Sequence, residues 1–122
     1  MKLLYIEDMP IHVHVMQRIT EHLGVELVHA SNASDGLLLL ATHPNVILVD
    51  ISLPDLDGLM LVRSIRNEMP DVPIVAVTAH AMPDDRERCL SAGCNEYVTK
   101  PFGWELMLNL LRKIQAIHDT DA

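Results

Sequence analysis

The chain has no apolar run near the roughly 20 residues that a membrane-spanning helix requires. Its longest buried-looking stretches, such as Val46-Ile47-Leu48-Val49, are far shorter. Nor does it carry a basic excess. Nine Lys and Arg stand against 17 Asp and Glu, a formal net charge of −8 with His neutral, which argues against binding a nucleic-acid phosphate backbone. Cysteine is scarce: Cys89 and Cys94 match no common zinc spacing and have no His pair beside them, so they read as reduced packing residues at a helix end. The amino terminus, Met1-Lys2-Leu3-Leu4-Tyr5-Ile6-Glu7, meets an acid too early for a secretory signal. A cytoplasmic protein without membrane insertion is expected. Linkers, repeats and low-complexity segments are absent as well. What remains is 122 residues, 49% hydrophobic and 21% charged, long enough for one domain, residues 1–122, with a single core.

Strand and helix signals alternate five times. Residues 2–7 read as a first strand. Pro10 suits the first turn of a helix that runs to Leu23 and stops at Gly24, with Ile11, Val15, Ile19 and Leu23 as its core stripe. Residues 25–29 form a shorter, less buried strand, and a helix capped within 31–34 runs through Thr42 to end near Pro44. The third strand is 46–50. A loop over 52–57 leads to Gly58 and a helix to about Met69. Strand four is Ile74–Thr78, and its helix starts near Met82-Pro83 and closes at Ala92-Gly93. Strand five is about Glu96–Thr99. The last helix runs from Trp104 to about Ile117, with His118–Ala122 as a frayed tail. Five alternating units predict an α/β fold with a doubly wound parallel sheet.

The chemistry collects at the carboxyl ends of these strands, where open α/β sheets bind ligands. Asp50 ends the third strand, and an ionised group there must emerge at the mouth of the sheet or find a cation. Glu7 and Asp8 follow the first strand, Thr78 ends the fourth and Lys100 follows the fifth. Crowded carboxylates repel unless a cation joins them, and a hard cation such as Mg²⁺ takes oxygen ligands and keeps several waters. Aspartate can attack phosphorus to give an acyl phosphate, while Thr78 and Lys100 would offer a hydroxyl and an ammonium to phosphoryl oxygens. Singly, each residue is ordinary: a strand-end Thr is a good strand former, and Lys100-Pro101 could be a turn. Their order on five alternating units is the specific signal.

With these motifs the sequence resembles the response-regulator receiver domain, chemotaxis-regulator-like, from Leu3 through the last helix. The carrying motifs are Ile6-Glu7-Asp8, Val49-Asp50-Ile51-Ser52-Leu53-Pro54-Asp55-Leu56-Asp57-Gly58, Val77-Thr78-Ala79 and Tyr97-Val98-Thr99-Lys100-Pro101-Phe102. The resemblance implies a flavodoxin-like (βα)5 fold with strand order 2-1-3-4-5. It implies that Asp50 accepts a phosphoryl group from a histidine kinase or histidine phosphotransfer protein. Mg²⁺ would be held by Glu7, Asp8, Asp50 and the backbone carbonyl of Ser52. Thr78 and Tyr97 would form the switch pair, Lys100 would bind phosphate, and the Lys100-Pro101 peptide would be cis, an isomer that proline makes accessible. The family often has Asn where this chain has Met9 and Ser52. Ser52 and His80 are expected to border the path of the hydrolytic water and to tune the lifetime of the acyl phosphate.

A signalling phosphoacceptor rather than an enzyme is therefore expected, a monomer or weak dimer that regulates a protein partner through residues 82–118. With no output domain after the last helix, the chain reads as a stand-alone regulator or a receiver cut from a hybrid kinase or multidomain regulator. A phosphohydrolase of the haloacid-dehalogenase kind would want an aspartate where Ser52 stands, and an acidic Glu7-Asp8-Met9-Pro10 loop is hostile to a flavin phosphate. The intact set of site residues argues against a degenerate receiver used only for docking. Of Leu37–Leu40, at least one must face away from the sheet. Val13 and Met16 widen the apolar arc of the first helix beyond its stripe, Trp104 is expected against the neighbouring strand, residues 84–88 read as a solvated helix face, and most histidines read as surface residues.

Overall fold

The computed structural model describes residues 1–53, 57–79 and 83–121. Strands and helices alternate as β1 (Lys2–Ile6), α1 (Pro10–Leu23), β2 (Glu26–Ala30), α2 (Ala33–Leu38), β3 (Val46–Asp50), α3 (Gly58–Glu68), β4 (Ile74–Thr78), α4 (Asp85–Ala92), β5 (Glu96–Thr99) and α5 (Trp104–Asp121). The five strands form one parallel sheet in the order β2-β1-β3-β4-β5, the expected doubly wound, flavodoxin-like fold. No helix among the described residues is long and apolar enough to cross a membrane.

The pleat divides the core in two, because successive strand side chains point to opposite faces. Leu3, Tyr5, Val46, Leu48, Val75, Val77 and Val98 pack with Met16 and Ile19 of α1 and Met107, Leu108 and Leu111 of α5. Leu4, Ile6, Ile47, Val49, Ile74 and Ala76 pack on the other face with Ala33, Leu61, Val62, Ile65, Cys89 and Ala92 of α2, α3 and α4. Every residue of β3 and β4 is buried, which is why these strands read as unbroken apolar runs.

Several boundaries and faces differ from expectation. The buried stripe of α1 is Val13, Met16, Ile19 and Thr20, whereas Ile11 and Val15 are 66% and 42% exposed. The i+4 spacing of the expected stripe was sound, but a second stripe rotated toward Val13 and Met16 fits the same residues, and contact with β1 and α5 selects it. The second helix is α-helical only to Leu38. It tightens into a 3-10 turn over Leu39–Thr42 before Pro44, which lacks the N–H to continue a helix. Leu38 is the leucine that faces solvent, at 74% exposure. The last helix does not fray at His118 but continues to Asp121, and Thr120 Oγ1 donates to Ala116 O at 2.8 Å. Trp104 is 42% exposed and meets the ring of His22 on α1 edge-on, with centroids 6.2 Å apart, rather than a strand.

Gly24 ends α1 in the left-handed region at φ 69°, a conformation that costs a side-chain-bearing residue about 1 kcal/mol or more. Cys89 and Cys94 are buried free thiols. Burial pushes the Cys94 thiol up to about 12, with the Cys89 thiol against it, so both are packing residues with little thiolate character.

Candidate functional site

The pleat that sorts the core also sorts the site. Leu3 and Tyr5 point toward α1 and α5, so the next residue in that series, Glu7, emerges on the same face at the carboxyl end of β1. Val46 and Leu48 lead likewise to Asp50, and Val98 leads to Lys100. Thr78 continues the series of Ile74 and Ala76, and Tyr97 packs with that same group. Hence Thr78 and Tyr97 share the α4 side of the sheet.

Glu7, Asp8 and Asp50 offer carboxylate oxygens that all lie within 4.8 Å of one another. Glu7 and Asp50 are buried and Asp8 is exposed. Lys100 reaches across from the β5 end, its side chain 10% exposed. Its Nζ donates to both Glu7 oxygens at 2.7 and 2.9 Å and to Asp50 Oδ2 at 3.2 Å. The Ser52 N–H donates to Asp50 Oδ1 at 2.9 Å, which fixes the Asp50 side chain from its own loop. Tyr5 Oη donates to Glu7 Oε2 at 3.4 Å. Burial first, and the Glu7 charge second, hold the Tyr5 phenol well above its ordinary range, so it stays a donor. The Lys100-Pro101 peptide is cis, as expected. Together these groups present a divalent-cation-sized set of oxygens beside one buried ammonium, a donor set suited to a hard cation.

The loop after Asp50 is anchored at its far end by Asp57, whose Oδ1 accepts from Leu59 N at 2.9 Å as the cap of α3. Gly58 opens that helix because a Cβ there would overlap the Ile51 backbone. Pro54, Asp55 and Leu56 of the expected motif lie outside the described residues, as does His80, the expected tuning residue. Ser52 is exposed.

Two histidines went unread in the sequence. His12 Nδ1 lies 2.9 Å from Glu7 Oε1 and 3.0 Å from Lys100 Nζ, and His29 Nε2 lies 2.8 Å from Glu7 O. α1 starts only three residues after Glu7, which brings its first turn over the strand end, but no residue type there marks His12 as the one that faces Glu7. His12 also lines a groove of about 470 Å³ with Val15, Ala79, Lys100, Pro101 and Phe102.

Tyr97 turns its ring inward onto the α2–α4 side of the core, and its buried hydroxyl has no hydrogen-bond partner among the described residues. Leaving a buried hydroxyl unpaired costs about 1–3 kcal/mol. Tyr97→Phe is therefore expected to raise the unfolding free energy by about 1 kcal/mol in urea melts; a loss of similar size would show that the hydroxyl is satisfied in solution.

The family model of the response regulator receiver domain matches residues 3–112. The chain is 34% identical over 101 residues to the polar-differentiation response regulator DivK of Brucella anthropi, spanning 80% of this chain and 82% of that protein. It is 31% identical over 115 residues to the sensor histidine kinase CheAY of Helicobacter pylori, covering 90% of this chain but only 14% of the kinase. Among solved structures it resembles the receiver domain of the sensor histidine kinase PA1611 of Pseudomonas aeruginosa, determined with a magnesium ion in its active-site cleft. That match has 34% identity, a TM-score of 0.79 and 94% of each chain covered. A CheY-like receiver from Methanospirillum hungatei superposes with a TM-score of 0.90 at 24% identity over 99% of this chain and 98% of that one. The chain thus belongs to the response regulator receiver domain family of two-component signalling.

Proposed function

We propose that Asp50 is the phosphoacceptor of this receiver, taking a phosphoryl group from a phosphohistidine of a histidine kinase or phosphotransfer protein. One observation carries the reading: Glu7, Asp8 and Asp50 converge within 4.8 Å while Lys100 bonds both Glu7 and Asp50. An Asp50 carboxylate oxygen attacks phosphorus, the bond from phosphorus to the imidazole nitrogen breaks, and its electron pair stays on the donor ring. Glu7, Asp8, Asp50 and the Ser52 carbonyl would hold Mg²⁺, which when bound neutralises charge on the transferring oxygens. Lys100 then turns from Glu7 to the phosphoryl oxygens, and the Thr78 hydroxyl donates to another. Thr78 and Tyr97 form the switch that passes the change to the α4–β5–α5 surface, residues 82–118, where a protein target is read. Ser52 borders the route of the hydrolytic water. The domain works in the cytoplasm, as a stand-alone regulator like DivK or as the receiver part of a larger kinase like CheAY.

The test is incubation with acetyl phosphate and Mg²⁺. A hydroxylamine-labile label should appear, map to the peptide containing Asp50 and vanish in EDTA. A label on another residue, or one stable to hydroxylamine, would overturn the assignment.

Lys100 also competes with the cation for Glu7. Lys100→Met should raise Mg²⁺ affinity about tenfold at low ionic strength, or about 1.4 kcal/mol, since three carboxylates would then lack their ammonium. Calorimetric titration reads this directly; an unchanged affinity would mean that Lys100 leaves Glu7 at no cost.

A further inference from the structure

We infer that His12, resting on the reading of the site just given, is a positioning residue that holds the Glu7 carboxylate through an Nδ1–H donor and frees Lys100 to move. The proton count leads there. An ammonium has three N–H donors, and those of Lys100 are taken up by Glu7 Oε1 at 2.9 Å, Glu7 Oε2 at 2.7 Å and Asp50 Oδ2 at 3.2 Å. None remains for His12 Nδ1 at 3.0 Å. Were Nδ1 unprotonated, its lone pair would face Glu7 Oε1 at 2.9 Å, acceptor against acceptor. With a proton on Nδ1 the contact becomes a charge-assisted bond, whether or not Nε2 is also protonated.

The assignment has a second consequence. Glu7 Oε1, His12 Nδ1 and Lys100 Nζ form a triangle with sides of 2.9, 2.9 and 3.0 Å, and its nitrogen–nitrogen side sets two donors against each other. That contact is relieved when the ammonium moves off Glu7 toward a phosphoryl group on Asp50. Glu7 does not then swing away, because His12 keeps Oε1 while Oε2 stays available to a cation. A histidine donating to a metal-binding carboxylate is a partner of the kind whose loss costs about 10–100-fold in metal affinity. The α1 backbone fixes its place, since Val13 and Met16 beside it are buried.

The experiment has two readouts. Long-range ¹H–¹⁵N correlation spectra of the metal-free protein should show His12 protonated at Nδ1. Calorimetric titration should show His12→Leu weakening Mg²⁺ binding about tenfold with little change in melting temperature. His12→Asn, whose Nδ2 takes the place of Nδ1, should return to within about twofold of the parent, because it restores the donor to a metal-binding carboxylate. An unprotonated Nδ1, or a Leu variant with the parent's affinity, overturns the proposal. A parent protein that binds no Mg²⁺ would instead sink the reading of the whole site, and with it the role of His12, while the spectra would still report the hydrogen bond.

Discussion

Asp50→Asn should take up no phosphoryl group from acetyl phosphate and yet fold at least as stably as the parent. The amide is nearly isosteric, and its Oδ1 can still accept from the Ser52 N–H, now at 2.9 Å. What is lost is the nucleophilic charge. What is also lost is repulsion: Glu7, Asp8 and Asp50 sit within 4.8 Å of one another, and Lys100 spends two of its three N–H donors on Glu7. Two carboxylates at such a distance repel by a few kcal/mol near a protein surface, so after subtracting the weakened Lys100 contact a net gain of about 1 kcal/mol is expected. Urea unfolding in EDTA measures it, and the sign should reverse in excess Mg²⁺, where the parent gains more from binding. Equal labelling of the Asn variant would remove Asp50 from the mechanism.

Arg66→Leu should cause the largest loss of stability of any change outside the two cores. The Arg66 guanidinium donates to Gly93 O at 2.7 and 3.1 Å, to Met69 O and Pro70 O at 3.0 Å each, to Val72 O at 2.7 Å and to Asn95 Oδ1 at 2.9 Å. Asn95 Oδ1 in turn accepts from Ile74 N at 2.8 Å. One side chain thus closes the end of α3, the entry to β4 and the exit of α4. Hydrogen bonds to a charged group contribute about 1.5–3 kcal/mol each, but they share one donor group and part of the cluster is wet. A total near 3 kcal/mol is the expected loss, or a fall of about 10 °C in melting temperature for a chain of this size. Arg66→Lys should recover only a fraction, because a compact ammonium cannot fork between Gly93 and Val72. A Leu variant within about 0.5 kcal/mol of the parent, the ordinary range for surface changes, would mean that water replaces the guanidinium.

The sequence was most informative where one constraint dominated. Buried on both faces, β3 and β4 leave no choice but an unbroken apolar run ended by a polar residue, so Asp50 and Thr78 stood out. The acids of the site were readable for the same reason. His12 was not, since nothing local marks a histidine on a helix as facing a carboxylate five residues earlier; that depends on how α1 packs. The face of α1 itself was misread because Ile11 and Val15 are as apolar as Val13 and Met16, and only the contacts with β1 and α5 decide between the two stripes. Arg66 was invisible as well, as its acceptors are, Asn95 aside, backbone carbonyls that no residue type announces.

The alternation of the pleat has a consequence for traffic around the domain. Glu7, Asp50 and Lys100 follow the strand residues that face α1 and α5, and Lys100 lines a groove with His12 and Val15, while Thr78 and Tyr97 lie on the side of α4. On the proposed roles, the phosphoryl group would be taken up on the face of α1 and α5 and sensed by Thr78 and Tyr97 on the face of α4. If that proposal holds, a donor that approaches from α1 would leave the α4 face open to a second protein, with the sheet as the partition between them.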